Sequence, residues 1–206
     1  MIFPVDRIFY ISLPSTPMRT KRMVQYLETI GLIDKNGNKP ILKVANNGNR
    51  VGHQVDNSIK IKNKRSKTSI SEIGCFASHR ELWLEQLSNQ WESVLILEDD
   101  ARFEISKTLN IIKHWNMLPD FDFLHLGWEY FKNPIPHTIE KVEIESLPDL
   151  WKGNGMWFTH AYVMNISGAI GFEERSRVQY GGLDWQTSGI QTHLNCYGFR
   201  PGICNQ

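Results

Sequence analysis

Apolar positions along the chain alternate between short runs and helical stripes, and the switches lay out strands and helices in turn. RIFYISL, Arg7 to Leu13, is β-rich and apolar enough for a buried strand. Pro14 and Pro17 bracket a loop. The next stretch, MRTKRMVQYLETIGL, places Met18, Arg22, Tyr26 and Leu27 at helical spacing and reaches Gly31, a residue suited to the position after a helix. PILKVAN reads as a second strand. SISEIGCFASHRELWLEQLSNQ gives the clearest helix: Ser69 and Glu72 fit a capping box, and Ile73, Phe76, Ala77, Trp83, Leu84 and Leu87 form one apolar stripe. The strand SVLILEDD follows. ISKTLNIIKHWNML predicts a helix with Ser106 as its N-cap. FDFLHLG, Phe121 to Gly127, and HAYVMN predict strands, Ser167 opens a small helix, and GLDWQTSGIQTHL is helical. Strands alternating with helices predict an α/β domain with a mostly parallel sheet flanked by helices. Residues 1–206 read as one domain, without an internal repeat or a linker, and are enough for a sizeable core.

Composition acts here mainly by exclusion. A formal net charge of +1 gives no global field for nucleic acid. Cys75, Cys196 and Cys204 lack paired spacing, which fits a reducing cytoplasm better than a disulfide framework. The N-terminus lacks a basic segment followed by an apolar one, so no signal peptide is expected, and no run is apolar enough to span a membrane. Between the second strand and the clear helix, Lys60, Lys62, Lys64, Arg65 and Lys67 crowd together. They read as a solvated loop, or as a patch facing an anionic acceptor or a membrane surface. Seven tryptophans suit core packing, and a few of them suit walls against sugar faces.

The sharpest feature is the end of SVLILEDDARF, where four apolar residues run into Glu98, Asp99 and Asp100. Clustered carboxylates repel, so something positive should balance them. Ligands of open α/β sheets sit at the carboxyl ends of strands. Strand alternation would point Glu98 and Asp100 together and Asp99 away, a pair of oxygen ligands suited to Mg²⁺ or Mn²⁺ on a diphosphate. The other reading is a solvated acidic turn paired with Arg102. His79, beside the stripe of its helix, reads as structural or as a site residue. His160 in WFTHAYV reads as a strand residue or a late metal ligand.

RIFYISLPSTPMRTKRM, SEIGCFASHRELW, VLILEDDARF, FDFLHLG, THAYVMNISGA and GGLDWQTS follow one another in an order that resembles glycosyltransferase family 25, over nearly the whole chain. EIGCFASH followed by LILEDD is the specific part. The resemblance implies a GT-A-like, Rossmann-like fold and a UDP-sugar donor, usually UDP-galactose. It also implies inversion at the anomeric carbon and Mn²⁺ or Mg²⁺ as cofactor. Glu98, Asp99 and Asp100 stand where that family has its metal and diphosphate acids. His79 stands in its SH pair, Arg19 in the loop after the first strand, and Asp184 in its late acidic position. Ser12 is a departure, since the family commonly has Asn there. The implied donor-binding set is Ser12, Arg19, His79, Glu98 and Asp99, and the implied metal ligands are Glu98, Asp100 and His160.

Displacement at a sugar carbon needs the leaving diphosphate's charge offset and the acceptor hydroxyl's proton removed. Asp184 is the candidate general base, its other reading being an N-cap, and Glu129 is the next candidate. The expected enzyme is a cytoplasmic hexosyltransferase of lipopolysaccharide or surface-glycan biosynthesis, with peripheral contact at the inner membrane. Its partners would be a UDP-sugar and an oligosaccharide or lipid-linked oligosaccharide acceptor. The rival readings are an inactive glycan-binding relative and a metal-dependent phosphohydrolase. LEDDARF lacks the hydroxyl residue that aspartyl-phosphate chemistry wants.

Overall fold

The apolar runs become strands of one sheet, and the stripes become helices on both its faces. The computed structural model describes residues 1–46, 48, 69–130, 138–179 and 181–205. The basic cluster from Lys60 to Lys67 lies outside the described residues.

In chain order the strands are β1 (Arg7–Ser12), β2 (Ile41–Val44), β3 (Ser93–Glu98), β4 (Arg102–Phe103), β5 (Phe123–His125), β6 (Glu129–Tyr130), β7 (Ile139–Lys141), β8 (Leu150–Gly153), β9 (Met156–Trp157), β10 (Ala161–Asn165), β11 (Cys196–Phe199) and β12 (Cys204–Asn205). The helices are α1 (Pro17–Thr29), α2 (Ile70–Asn89), α3 (Ile105–Lys113), α4 (Ile166–Arg175) and α5 (Leu183–Ile190). The main sheet runs β2-β1-β3-β10-β5-β11-β8-β7. β2, β1 and β3 are parallel, forming a Rossmann-like half with α1 and α2 as crossovers. β10 is antiparallel to both β3 and β5, β11 is parallel to β5, and β8 and β7 continue antiparallel, so the sheet is mixed.

The period of two along the strands separates two cores. Leu95 and Leu97 of β3 pack on one face with Met23 and Leu27 of α1 and Ile111 of α3. Val94 and Ile96 pack on the other with Phe76, Leu82 and Trp83 of α2, Phe172 of α4 and Ile190 of α5. Phe123, from β5, stacks between Tyr162 and Phe172 with centroids 4.5 and 5.2 Å away.

Local details depart from the sequence expectation where tertiary contacts decide. In α1 the buried positions are Met23 and Leu27, while Met18 is exposed. The Ser69–Glu72 capping box is present at α2. The cap of α3 is Glu104, not Ser106: its carboxylate accepts from the backbone N–H of Ser106 and Lys107. α4 opens after Asn165, and Ser167 inside it bonds Asp122 instead of starting the helix. Among the described residues no helix is long and apolar enough to cross a membrane.

Phe123→Ala should lower the stability read from urea unfolding by about 3–5 kcal/mol, with an unchanged slope, because two stacked rings lose their partner. A smaller loss would mean that the second core closes over the gap.

Candidate active site

β1 and β3 end side by side because they are parallel neighbours, with Ile11 opposite Glu98. Their crossover helices leave for opposite faces, α1 to one core and α2 to the other. That is the topological switch point, where open α/β sheets form a crevice. A cavity of about 700 Å³ lies there, lined among others by Ser12, Arg19, Cys75, His79, Glu98 and Asp99.

β3 stops at Glu98, and Asp99 and Asp100 lie in a turn. Strand alternation therefore ends before it could pair Glu98 with Asp100, and it is Asp99 that joins Glu98 at the cavity wall. Asp99 is buried and fully engaged. Its Oδ2 accepts from Ser12 Oγ at 2.6 Å, and its Oδ1 lies 2.5 Å from Arg19 Nη2. The same Arg19 nitrogen reaches Asp100 Oδ2 at 2.6 Å. Arg19, not Arg102, is thus the cation that offsets the acids. Arg102 instead bonds the carbonyl of Ala101 and lies 4.8 Å over the Tyr26 ring.

Glu98 faces α2. Its Oε1 is 3.5 Å from Nε2 of His79, a fully buried ring. Burial works against the Glu98 charge, but His79 first, then His160 and Arg19, outweigh it and hold the carboxyl below its usual range. His79 is set by a chain of hydrogen bonds. Trp83 Nε1 donates to the Tyr162 hydroxyl at 2.9 Å, and that hydroxyl lies 2.9 Å from His79 Nδ1. With Trp83 filling an acceptor site, the phenol proton is best placed on Nδ1, which leaves the imidazole proton on Nε2, toward Glu98.

The antiparallel run of β10 brings its start to the end of β3, where Glu98 N–H bonds the His160 carbonyl at 2.7 Å. Thr159, just before, donates through its N–H and its hydroxyl to Asp184 Oδ1 at 3.1 and 2.9 Å. Asp184 lies in the first turn of α5, whose cap position is Gly182, so its carboxylate is held by Thr159 and does not cap the helix. Burial first, and then the charge of Glu98, raise the Asp184 carboxyl despite those two hydrogen bonds. Trp185 beside it is partly exposed and meets Trp157 edge-on, with centroids 6.1 Å apart. Glu129 is exposed on β6 and lies 3.4 Å from Arg200.

The expected metal ligands fit such an ion in part. Asp100 Oδ1 and His160 Nδ1 are both buried without a hydrogen-bond partner, so each has a lone pair to offer, while His160 Nε2 bonds the Cys204 carbonyl at 3.0 Å. Two carboxylates and an imidazole are a reasonable donor set for Mn²⁺. Among the described residues, however, the group of three whose ligand atoms all lie within 4.8 Å of one another is Cys75, His79 and Glu98. Cys75 was missed from sequence, as were Tyr162 and Thr159. Cys75 sits four residues before His79 on one helix, and that spacing was the available signal. Burial, with the charges of Glu98, Asp184 and Glu72, pushes its thiol up to about 12.

A strand-end crevice with engaged acids, a paired arginine and a raised carboxyl is a candidate ligand site of an α/β fold. Residues 5–178 match the family described as "Glycosyltransferase family 25 (LPS biosynthesis protein)". The chain belongs to glycosyltransferase family 25. It is 28% identical over 174 residues to "Probable inactive glycosyltransferase 25 family member 3" of Rattus norvegicus, covering 80% of this chain and 29% of that protein. It is 26% identical over 171 residues to "Glycosyltransferase 25 family member" of Drosophila melanogaster, covering 81% and 27%. It is 30% identical over 102 residues to "Procollagen galactosyltransferase 2" of Homo sapiens, covering 48% and 16%. The chain thus spans less than a third of the length of these curated relatives. The solved structure "Crystal Structure of A197 from STIV" overlaps 94% of this chain and 81% of its own, at 10% identity and a TM-score of 0.45.

Tyr162→Phe removes the hydroxyl shared by two buried groups. Stability should fall by about 1–3 kcal/mol in urea unfolding, the scale for stranding a buried partner. Unchanged stability would mean that water or repacking satisfies Trp83 and His79.

Proposed function

We propose that the protein transfers a hexosyl group, galactose foremost, from a UDP-sugar to a surface-glycan acceptor, with inversion. The acceptor would be an oligosaccharide or a lipid-linked oligosaccharide of the lipopolysaccharide type. The observation that carries this reading is the raised, largely buried Asp184 carboxyl, which feels the charge of Glu98 at the cavity. A cavity of about 700 Å³ is of the size that holds a nucleotide-sugar.

In this reading Asp184 accepts the proton of the acceptor hydroxyl. The hydroxyl oxygen bonds the anomeric carbon from the side opposite the diphosphate. The bond from that carbon to the diphosphate oxygen breaks, and its electron pair leaves with the diphosphate. Arg19, partly exposed and able to swing from Asp100, offsets the growing charge. Arg19 projects from the first turn of α1, not from the loop before it, and Ser12 holds that turn through Thr20 while it donates to Asp99. Mn²⁺ or Mg²⁺, held by Glu98, Asp100 and His160, would supply further charge for the leaving group. Trp185 offers an apolar face to the acceptor sugar.

A cytoplasmic location with peripheral contact at the inner membrane belongs to the same reading, supported by three cysteines without a disulfide. Some relatives carry names that say inactive, so the assay has to separate binding from transfer. A panel of UDP-sugars, with and without Mn²⁺, supplies the donor test; failure of every donor to be hydrolysed or transferred would favour the inactive reading.

Asp184→Asn keeps the acceptor oxygen for Thr159 and removes the basicity. Transfer should fall roughly a hundredfold or more, with UDP-sugar affinity nearly unchanged. In the parent enzyme the acid limb of the rate profile should lie above the ordinary aspartate range. A carboxyl raised in the folded state contributes stability at low pH, and that contribution is lost as pH rises through its folded pKa. The Asn variant, which does not ionise, should therefore melt no lower than the parent at neutral pH. An active Asp184→Asn enzyme would move the base to another residue.

A further inference from the structure

The wall of the cavity carries one cluster that the proposed reaction does not use as a unit. We infer that Cys75, His79 and Glu98 form a binding site for a borderline-soft divalent cation of the zinc type, with an open position toward the cavity.

The donor chemistry comes first. One sulfur, one imidazole nitrogen and one carboxylate oxygen lie within 4.8 Å of one another. Cys75 and His79 are one helical turn apart on α2, so they share a face. β3 delivers Glu98 opposite them. A thiolate and an imidazole select zinc-like ions over Mg²⁺ or Mn²⁺, which prefer oxygen. Two anionic ligands also make the loaded site neutral, which limits the cost of placing a dication at a half-buried wall.

The geometry agrees. His79 Nε2 is fully buried, has no hydrogen-bond partner, and stands 3.5 Å from Glu98 Oε1. Adjacent nitrogen and oxygen ligands of a tetrahedral zinc, each about 2.0–2.2 Å from the metal, are separated by about 3.4 Å. This pair already stands at bridging distance. Cys75, on the cavity wall, closes the remainder with a shift of about an ångström, to the Zn–S distance of about 2.3 Å. On binding, the proton of Nε2 moves to Nδ1, the phenol proton of Tyr162 turns away from the ring, and Nδ1–H donates to the Tyr162 oxygen, which also accepts from Trp83. A buried partner behind a ligating histidine is the usual way such a ring is oriented. The thiol proton leaves to solvent as the thiolate bonds the ion.

All three residues line the cavity, so the fourth position is left for water or for an anionic oxygen of whatever occupies it. Glu98 is also one of the three ligands proposed above for Mn²⁺ or Mg²⁺, with Asp100 and His160. A zinc-type ion at Cys75 therefore withdraws Glu98 from that set, and the two kinds of ion exclude each other. The existence of the thiol site does not depend on the transferase reading.

The test uses the whole chain, stripped of metal with a chelator and titrated with Co²⁺ as a spectroscopic stand-in. The expected result is a near-ultraviolet thiolate-to-cobalt absorption together with a tetrahedral visible band, both abolished by Zn²⁺. Cys75→Ser should remove the near-ultraviolet band and weaken Co²⁺ binding at least tenfold, since loss of even an outer-shell partner commonly costs roughly 10- to 100-fold. If that variant does not fold, the parent protein supplies the second measurement. Zn²⁺, but not Mg²⁺, should slow alkylation of Cys75 as located by peptide mass mapping. An oxygen-only cobalt spectrum, a thiolate band that survives Cys75→Ser, or Cys75 alkylation indifferent to Zn²⁺ would overturn the inference.

Discussion

Three carboxylates at the end of one strand are the constraint around which this structure is arranged. Coulomb repulsion among Glu98, Asp99 and Asp100 would be costly at a half-buried strand end unless each found its own compensation. The fold supplies it from three directions. Ser12, at the end of β1, donates to Asp99. Arg19, in the first turns of α1, spans Asp99 and Asp100 with one nitrogen. His79, from α2, faces Glu98. None of these partners is near the acids in sequence. The parallel β1–β3 pairing and the two crossovers that leave on opposite faces bring them together.

The same arrangement splits the carboxyls into two kinds. Glu98 is held ionised by His79, while Asp184 is raised by burial and by the charge of Glu98 itself. Two acids pushed apart by their surroundings are what acid–base chemistry requires, and the one that is raised toward neutrality is the one beside the partly exposed Trp185. Thr159 fixes one Asp184 oxygen through two hydrogen bonds. The carboxylate is therefore oriented without being neutralised by a cation, as Asp99 is by Arg19.

Mixed strand direction does particular work here. Had β10 run parallel to β3, Thr159 and His160 would lie at the far end of the sheet from the acids. Because β10 is antiparallel, its first residues meet the last residues of β3, and Glu98 N–H bonds the His160 carbonyl. Asp184 is tied to this end of β10 by way of Thr159. The approach of Glu98 to Cys75 and His79 follows from the same convergence.

Local signals determined much of this protein. The apolar run ending in Glu98, the Ser69–Glu72 capping box and the β1–loop–α1 opening could be read from spacing alone, because period and cap chemistry are short-range. The acid cluster could also be read as needing a positive partner, but the partner's identity could not. Arg102 is adjacent in sequence and Arg19 is not, yet Arg102 turns to the Tyr26 ring and the Ala101 carbonyl. Strand alternation failed beyond Glu98 because the strand ends there, and Asp99, not Asp100, faces the cavity. The cap of α3 moved to Glu104 because a longer carboxylate reaches two backbone N–H groups at once. Tyr162 and Thr159 carried no signal of their own, since an aromatic and a hydroxyl are ordinary residues of such segments, and Cys75 offered only its four-residue spacing from His79. Their roles exist only where the tertiary structure places them against His79, Asp184 and Glu98, because hydrogen bonds, charge coupling and metal ligation act over a few ångströms regardless of separation along the chain.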